Sequence, residues 1–317
     1  MQKRPLIILT GPTAVGKTKA SIGLAKALDG EIISADSMQV YKEMNIGSAK
    51  IRPDEVEGVK HYLIDLLNPD EEFHVVRFQE LAKQALKEIY AKGKIPIVVG
   101  GTGFYIQALL YDIDFAESKE DTEYRRELET LAREQGNEAL HNLLCKVDPP
   151  SAKVIHANNV KRVIRALEFY KQTGKKISEH NETEHAKSSP YDFCYFVLTD
   201  ARSRLYERIE RRIDRMLQEG LVAEVQSLKE KGYTRDMVSM QGLGYKEILD
   251  YINGQITLEE AIYILKRDTR HFAKRQLTWF RREPEVSWIH KYEYDYNDEK
   301  ILDAMLGILK DKGILGE

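Results

Sequence analysis

The chain has 317 residues, 42% hydrophobic and 31% charged, with a formal net charge of −3. This composition supports a packed core and excludes disorder as the main state; it also excludes a polycation, so nucleic-acid binding would need local basic surfaces. Cys145 and Cys194 are too few for a disulfide scaffold or a CxxC zinc site and fit a reducing cytoplasm.

Met1–Pro5 leads straight into a strand, with no signal-peptide pattern expected. Leu6–Thr10 is an apolar run ending at a glycine loop and reads as a buried parallel strand. Lys17–Asp29 reads as a helix with Ala20, Leu24, Ala25 and Leu28 on one face. Glu31–Ser34 is a second strand, ending at Asp36. Phe78–Lys92 is a helix, and Lys94–Val99 a third strand closed by Gly100 and Gly101. The longest apolar run, near Ile95–Gly103, is far too short for a membrane span. Strand and helix in alternation imply a parallel sheet covered by helices.

Residues 116–190 are charged, helical in period and poor in strand signals, punctuated by Pro149-Pro150 and Lys187–Pro190. Tyr191–Thr199 returns to strand character. Arg202–Lys231 reads as one long amphipathic helical stretch and Leu258–Phe280 as another. The expected architecture is an α/β P-loop core, a parallel β-sheet flanked by helices, formed by residues 1–115 and 191–317. An all-helical domain, 116–190, is inserted into it.

Gly11-Pro12-Thr13-Ala14-Val15-Gly16-Lys17-Thr18 fits GxxxxGK[ST] between a strand and a helix, where the motif has to sit. The backbone N–H groups of such a loop turn toward a phosphate, and the helix N-terminus adds partial positive charge. Lys17 supplies a full charge, and the Thr18 hydroxyl can ligate Mg²⁺. Nucleotide-hydrolysing enzymes and kinases normally add a strand ending in Asp to hold the metal. Here the Ile95–Val99 strand ends in Gly100-Gly101-Thr102 instead. The strand-end acid is Asp36, expected in the crevice beyond the strand C-termini. It suits a proton acceptor or a metal held through water, and equally a cap for the following segment. The glycines at 100, 101 and 103 permit close approach of a ligand or form a plain turn.

Two segments concentrate basic charge. Lys161, Arg162, Arg165, Lys171, Lys175 and Lys176 face one acid, Glu168; Lys161, Arg165 and Glu168 are spaced to share a helix face, with Val163, Ile164 and Leu167 inward. Lys266, Arg267, Arg270, Lys274, Arg275, Arg281 and Arg282 face Asp268, with His271, Trp279 and Phe280 interleaved. Cations that hold sugar-phosphate beside planes that stack on bases suit single-stranded RNA; a solvated helix face carries the same charges. The six arginines of Arg202–Arg215 are matched by Glu207, Glu210 and Asp214, and much of the stretch reads as exposed i,i+4 pairing, with Arg212 a candidate for more if it faces the crevice. On these residues alone a prenyl-transferring enzyme, a P-loop kinase of a nucleoside or small metabolite, and a nucleotide-dependent RNA-binding protein all remain open.

GPTAVGKT at 11–18, DSMQVY at 36–41, IGSAK at 46–50, GGTGFY at 100–105, KRVIRALE at 161–168, QGLGYKE at 241–247 and KRQLTWFR at 274–281 stand together in order. With these segments the chain resembles the bacterial-type tRNA dimethylallyltransferases, also called tRNA isopentenyltransferases, over nearly its whole length. Gln241 and Lys246 stand where some members carry Arg. The resemblance implies transfer of a dimethylallyl group from dimethylallyl diphosphate to N6 of adenine 37 of tRNA, with Mg²⁺, by an enzyme whose helical insertion grips the anticodon arm; a monomer is expected because one chain carries every matched segment, and a cytoplasmic location from the cysteine usage. It implies that residues 13–18 hold diphosphate and metal, that Asp36 is the general base, that Thr102 helps hold the amine and that Arg212 faces the diphosphate. The implied tRNA contacts are Asp36, Ser37, Met38, Gln39, Thr102, Arg125, Lys161, Arg162, Val163, Ile164, Arg165, Gln241, Gly242, Leu243, Gly244, Tyr245, Lys246, Lys274, Arg275, Gln276, Trp279 and Arg281.

Overall fold

The computed structural model describes residues 3–115, 122–185 and 187–314. Residues 116–121, where the sequence places the start of the insertion, lie outside them. The chain divides into two compact units, Met1–Leu110 with Pro190–Glu317, and Tyr111–Ser189.

The first unit opens with β1 (Arg4–Thr10), α1 (Lys17–Ala27), β2 (Gly30–Ala35), β3 (His61–Tyr62), α2 (Val75–Ala91), β4 (Ile95–Gly100) and α3 (Gly103–Leu110). Leu6 to Thr10 are all buried, which is why this strand is continuously apolar rather than alternating. Burial of each such Leu or Ile is worth roughly 1.5–3 kcal/mol. Helix α2 starts one turn before the expected Phe78, because the His74 ring accepts from the Arg77 N–H at 3.3 Å and caps it.

The helical unit holds α4 (Thr122–Gln135), α5 (Asn137–Val147), α6 (Pro149–Val154), α7 (Val160–Thr173) and α8 (Ile177–His185). Its core is Leu128 from α4, Leu140 and Leu144 from α5, and Val163, Ile164, Ala166 and Leu167 from α7. Asp148 caps α6 and ties in α8. Burial disfavours its charge, but bonds from the Ser178 and Ser151 side chains and backbone outweigh that and keep its carboxyl below the usual range. Glu168 is also buried, not on the exposed face expected for it; the Arg125 guanidinium holds it with bonds of 2.9 and 2.8 Å.

The first unit resumes with β5 (Tyr191–Thr199), α9 (Arg202–Gln218), α10 (Leu221–Glu230), α11 (Tyr245–Ile252), α12 (Leu258–Phe280), β6 (Val286–His290) and α13 (Asp298–Asp311). The single stretch expected over Arg202–Lys231 is two helices, because Gly220 at φ 104° ends the run. Helix α12 starts at a capping box in which Thr257 and Glu260 each satisfy the other's backbone N–H. Strands β3 and β6 were not foreseen: β3 has two residues, and β6 mixes polar and apolar residues at a sheet edge.

The sheet order is β3-β2-β4-β1-β5-β6, with every pairing parallel. This is the α/β core expected from the alternation of elements. Thr10 pairs with Gly100, and Gly100 with Ala35. The ends of β1, β4 and β2 are therefore level, and the loops after them open at one edge. Among the described residues no helix is long and apolar enough to cross a membrane.

Candidate active site

That edge carries a cleft of about 1170 Å³, lined by the β1–α1 loop, Asp36 to Gln39, Gly101, Thr102, and residues of α9, α12 and the 238–246 segment. At its floor, Lys17 Nζ donates to the carbonyls of Gly11 and Pro12 at 2.9 and 3.0 Å. Burial of the ammonium pulls its pKa down to about 8; Asp36 opposes the shift and Arg212 adds to it. From α9, Arg212 Nη1 donates to Thr13 Oγ1 at 3.4 Å and Arg208 Nε to the Ala14 carbonyl at 2.7 Å. Burial lowers the Arg212 pKa too, against the pull of Asp36 and with the push of Arg208 and Arg215. The loop is thus a concave anion site with cations already turned toward it. Pro12 and Val15 are buried, and Thr18 is exposed and lines the cleft.

Asp36 follows β2. Its Oδ1 accepts from the N–H groups of Met38 and Gln39 at 2.8 and 3.4 Å, so it does cap the following turn. Oδ2 accepts no hydrogen bond among the described residues, and Asp36 lines the cleft. The cap and the free carboxylate oxygen are one residue doing both things. Thr102 lines the same cleft, and its N–H donates to the Ala35 carbonyl at 3.3 Å, which ties the ends of β4 and β2 together. Its hydroxyl makes no hydrogen bond among the described residues.

The glycines after β4 admit close approach of protein side chains. A β-carbon on Gly101 would collide with Gln276 Nε2, and one on Gly103 with the Trp279 indole. Helix α12 thereby packs two side chains directly on the strand end. Gln276 is buried; its Oε1 accepts from the Thr13 N–H at 2.9 Å, and its Nε2 donates to the Gly101 carbonyl at 3.0 Å. Its side chain lies between the phosphate loop and the end of β4, at the wall of the cleft.

The remaining candidate residues divide by burial. Lys274, Arg275, Arg281 and Gln241 are exposed, and Ser37, Met38, Gln39, Gly242, Leu243 and Lys246 are half-buried. Trp279 meets Phe104 edge-on at 6.2 Å. Gly244 and Tyr245 are buried; the Tyr245 hydroxyl donates to Glu224 at 2.8 Å and accepts from the Ser48 N–H at 3.1 Å. In the helical unit, Lys161 and Arg162 are exposed and Arg165 is half-buried. Val163 and Ile164 are core residues whose side chains RNA cannot reach, and Arg125 is engaged by Glu168.

Sequence reasoning missed three contributors. Arg208 lies one turn before Arg212, a spacing that could have revealed it. Lys291, in the 3-10 turn after β6, is buried with its ammonium beside Gly16, its pKa lowered by burial despite Asp298; no motif marks it. Glu224 accepts from the N–H groups of Asn45, Ile46 and Gly47 at 2.9, 2.8 and 3.1 Å and so holds the segment that walls the cleft.

Known proteins resemble this chain over nearly its whole length. A tRNA dimethylallyltransferase of Lachnoclostridium phytofermentans is 61% identical over 312 residues, 98% of this chain and 99% of the relative. The crystal structure of a tRNA isopentenylpyrophosphate transferase from Bacillus halodurans is 45% identical, with a TM-score of 0.73 over 98% of each chain. A eukaryotic dimethylallyltransferase acting on tRNA aligns with a TM-score of 0.75 and 31% identity over 90% of this chain and 74% of its own. Residues 39–283 match the IPP transferase family, and the chain belongs to that family.

Proposed function

We propose that this protein is a tRNA dimethylallyltransferase, moving a dimethylallyl group from dimethylallyl diphosphate to N6 of adenine 37 of tRNA and releasing diphosphate. The observation that carries the reading is one cleft with two chemistries: a phosphate loop lined with inward cations, and a strand-end carboxylate with one oxygen free.

In the step itself the bond from the allylic C1 to the diphosphate oxygen breaks and the C1–N6 bond forms. The electron pair leaves with the diphosphate. Lys17, Arg212, Arg208 and the loop N–H groups stabilise that growing charge, a kind of term that is typically the largest in catalysis. The amine is a poor nucleophile because its lone pair is delocalised into the ring. Asp36 Oδ2 takes the departing N6 proton, worth roughly 10²–10⁴ in rate. Thr102 Oγ1 helps hold the amine. The exposed cations of α12 and of α7 in the helical unit bind the anticodon arm, and the target base leaves its stack at a cost of a few kcal/mol.

Mg²⁺ fits the donor set. Thr18 is exposed and lines the cleft, and among the described residues no cluster of three acidic, His or Cys side chains offers an all-protein cage. Mg²⁺ takes few protein ligands and otherwise binds water and substrate phosphate, so the Thr18 hydroxyl would be the protein group that holds it. The ion would neutralise leaving-group charge. A cytoplasmic monomer completes the reading.

The test is incubation with unmodified tRNA, Mg²⁺ and radiolabelled dimethylallyl diphosphate, then digestion of the tRNA to nucleosides. Label in N6-dimethylallyladenosine is expected. Tightly bound tRNA without label would overturn the reading.

A further inference from the structure

Resting on that reading, we infer that Gln276 is a positioning residue that sets the donor and acceptor halves of the cleft in register, rather than a tRNA contact. Its amide is buried between the two halves. On the donor side it accepts from the Thr13 N–H at 2.9 Å; on the acceptor side it donates to the Gly101 carbonyl at 3.0 Å, next to Thr102. The orientation of the amide is fixed, because a flip would set donor against donor and acceptor against acceptor. The contacts extend into a chain: Arg212 donates to the Thr13 hydroxyl, Thr13 to Gln276, and Gln276 to Gly101.

The site admits little else. Lys and Arg have no acceptor for the Thr13 N–H, and an ionised Glu has no donor for the Gly101 carbonyl. Gly101 also lacks the β-carbon that would displace the amide. Along α12, Trp279 lies one turn further on and is seated on Gly103, so the helix is pinned twice to the acceptor strand end and once to the phosphate loop. An in-line transfer requires the allylic carbon and the amine nitrogen at near-attack distance, and a 1 Å misplacement costs about 10²-fold. A clamp on both backbones controls that separation through the loops it joins.

The experiment compares Gln276→Ala and Gln276→Glu with the wild type for kcat at saturating substrates, KM for dimethylallyl diphosphate, tRNA Kd and thermal midpoint. The Ala variant is expected to lose about 10–10² in kcat, with tRNA Kd within about twofold of wild type. The Glu variant keeps the acceptor for Thr13 and loses the donor to Gly101. It keeps the loop contact but sets a negative charge beside the anion site, so it is expected to raise KM for the donor as well as to lower kcat, with tRNA Kd still close to wild type; it also serves if the Ala variant does not fold. Unchanged kcat with tRNA Kd weakened tenfold would make Gln276 an RNA contact and overturn the inference. So would a fallen thermal midpoint with kcat intact. A wild-type enzyme that labels no tRNA overturns the transferase reading and this inference with it; a labelling wild type matched by both variants overturns the inference alone.

Discussion

Helices α9 and α12 both carry several cations and put them to opposite uses. In α9 the buried residues are Leu205, Ile209, Ile213 and Met216, and Arg208 and Arg212 flank that stripe. Cations so placed are carried to the phosphate loop and half-buried. In α12, Lys274 and Arg275 lie away from the buried Ala273, Gln276 and Phe280 and stay exposed. The inward polar residue there is a neutral amide. The helices are also bound to each other, Lys266 to Asp214 and Arg270 to Glu210, both at 2.6 Å. Two acids expected to pair within α9 thus serve α12, while Arg211 and Glu207 do pair within α9 at 3.5 Å. A basic helix is therefore read from where its cations stand relative to its apolar stripe, not from their number.

The comparison breaks if α9 cations serve RNA or α12 cations serve the leaving group. The largest effect sets the scale for chemistry without binding. Asp36→Asn keeps a side-chain oxygen for the Met38 N–H and removes the base, so kcat should fall about 10²–10⁴-fold with tRNA Kd retained. Equal losses in both would remove the base role. Next comes Arg212→Ala, expected to lower kcat/KM for dimethylallyl diphosphate about 10²–10³-fold in single-turnover assays, with no change in the salt dependence of tRNA binding. A flatter salt dependence would assign Arg212 to RNA.

A smaller effect separates the cleft floor from the outer surface by pH. Burial holds the Lys17 pKa at about 8, against an ordinary 10.5. Between those values the unfolded chain binds the extra proton, so this group's contribution to folding stability rises with pH. Donor binding has the opposite sign, since the diphosphate requires the charged ammonium. Its affinity should be level below about pH 8 and fall by up to about tenfold per unit above it. Phosphate oxygens with a second pKa near about 6 are already ionised there. Donor KM measured from pH 7 to 9.5 checks this, and Lys17→Arg should remove the bend.

Much of the fold was legible because the β1, β4 and β5 segments are buried on both sides and bounded by glycine or a change of texture. The bounds of Tyr191–Thr199 and Leu258–Phe280 coincide with β5 and α12. The break at Gly220 was not, since one glycine inside a periodic run is often tolerated. At the site, the phosphate loop and Asp36 could be placed from strand ends alone. The partners of Gly101 and Gly103 could not: they come from α12, more than 170 residues later, and only packing brings them together. The burial of Glu168 was hidden for the same reason, as its partner Arg125 sits on another helix.

The smallest effect tests the comparison most directly. Arg275 is exposed on α12, with its guanidinium 5.8 Å from the Phe272 ring. Such a cation gives RNA binding energy chiefly by releasing a counterion from one phosphate. Arg275→Ala should therefore weaken tRNA binding only a few-fold at moderate salt and reduce the slope of log Kd against log salt by about 0.7–0.9. With tRNA saturating, kcat and donor KM should match the wild type, because nothing that holds the loop or the amine has moved. A fallen kcat with an unchanged slope would place Arg275 with Arg212 on the leaving group, and the division between the two helices would fail.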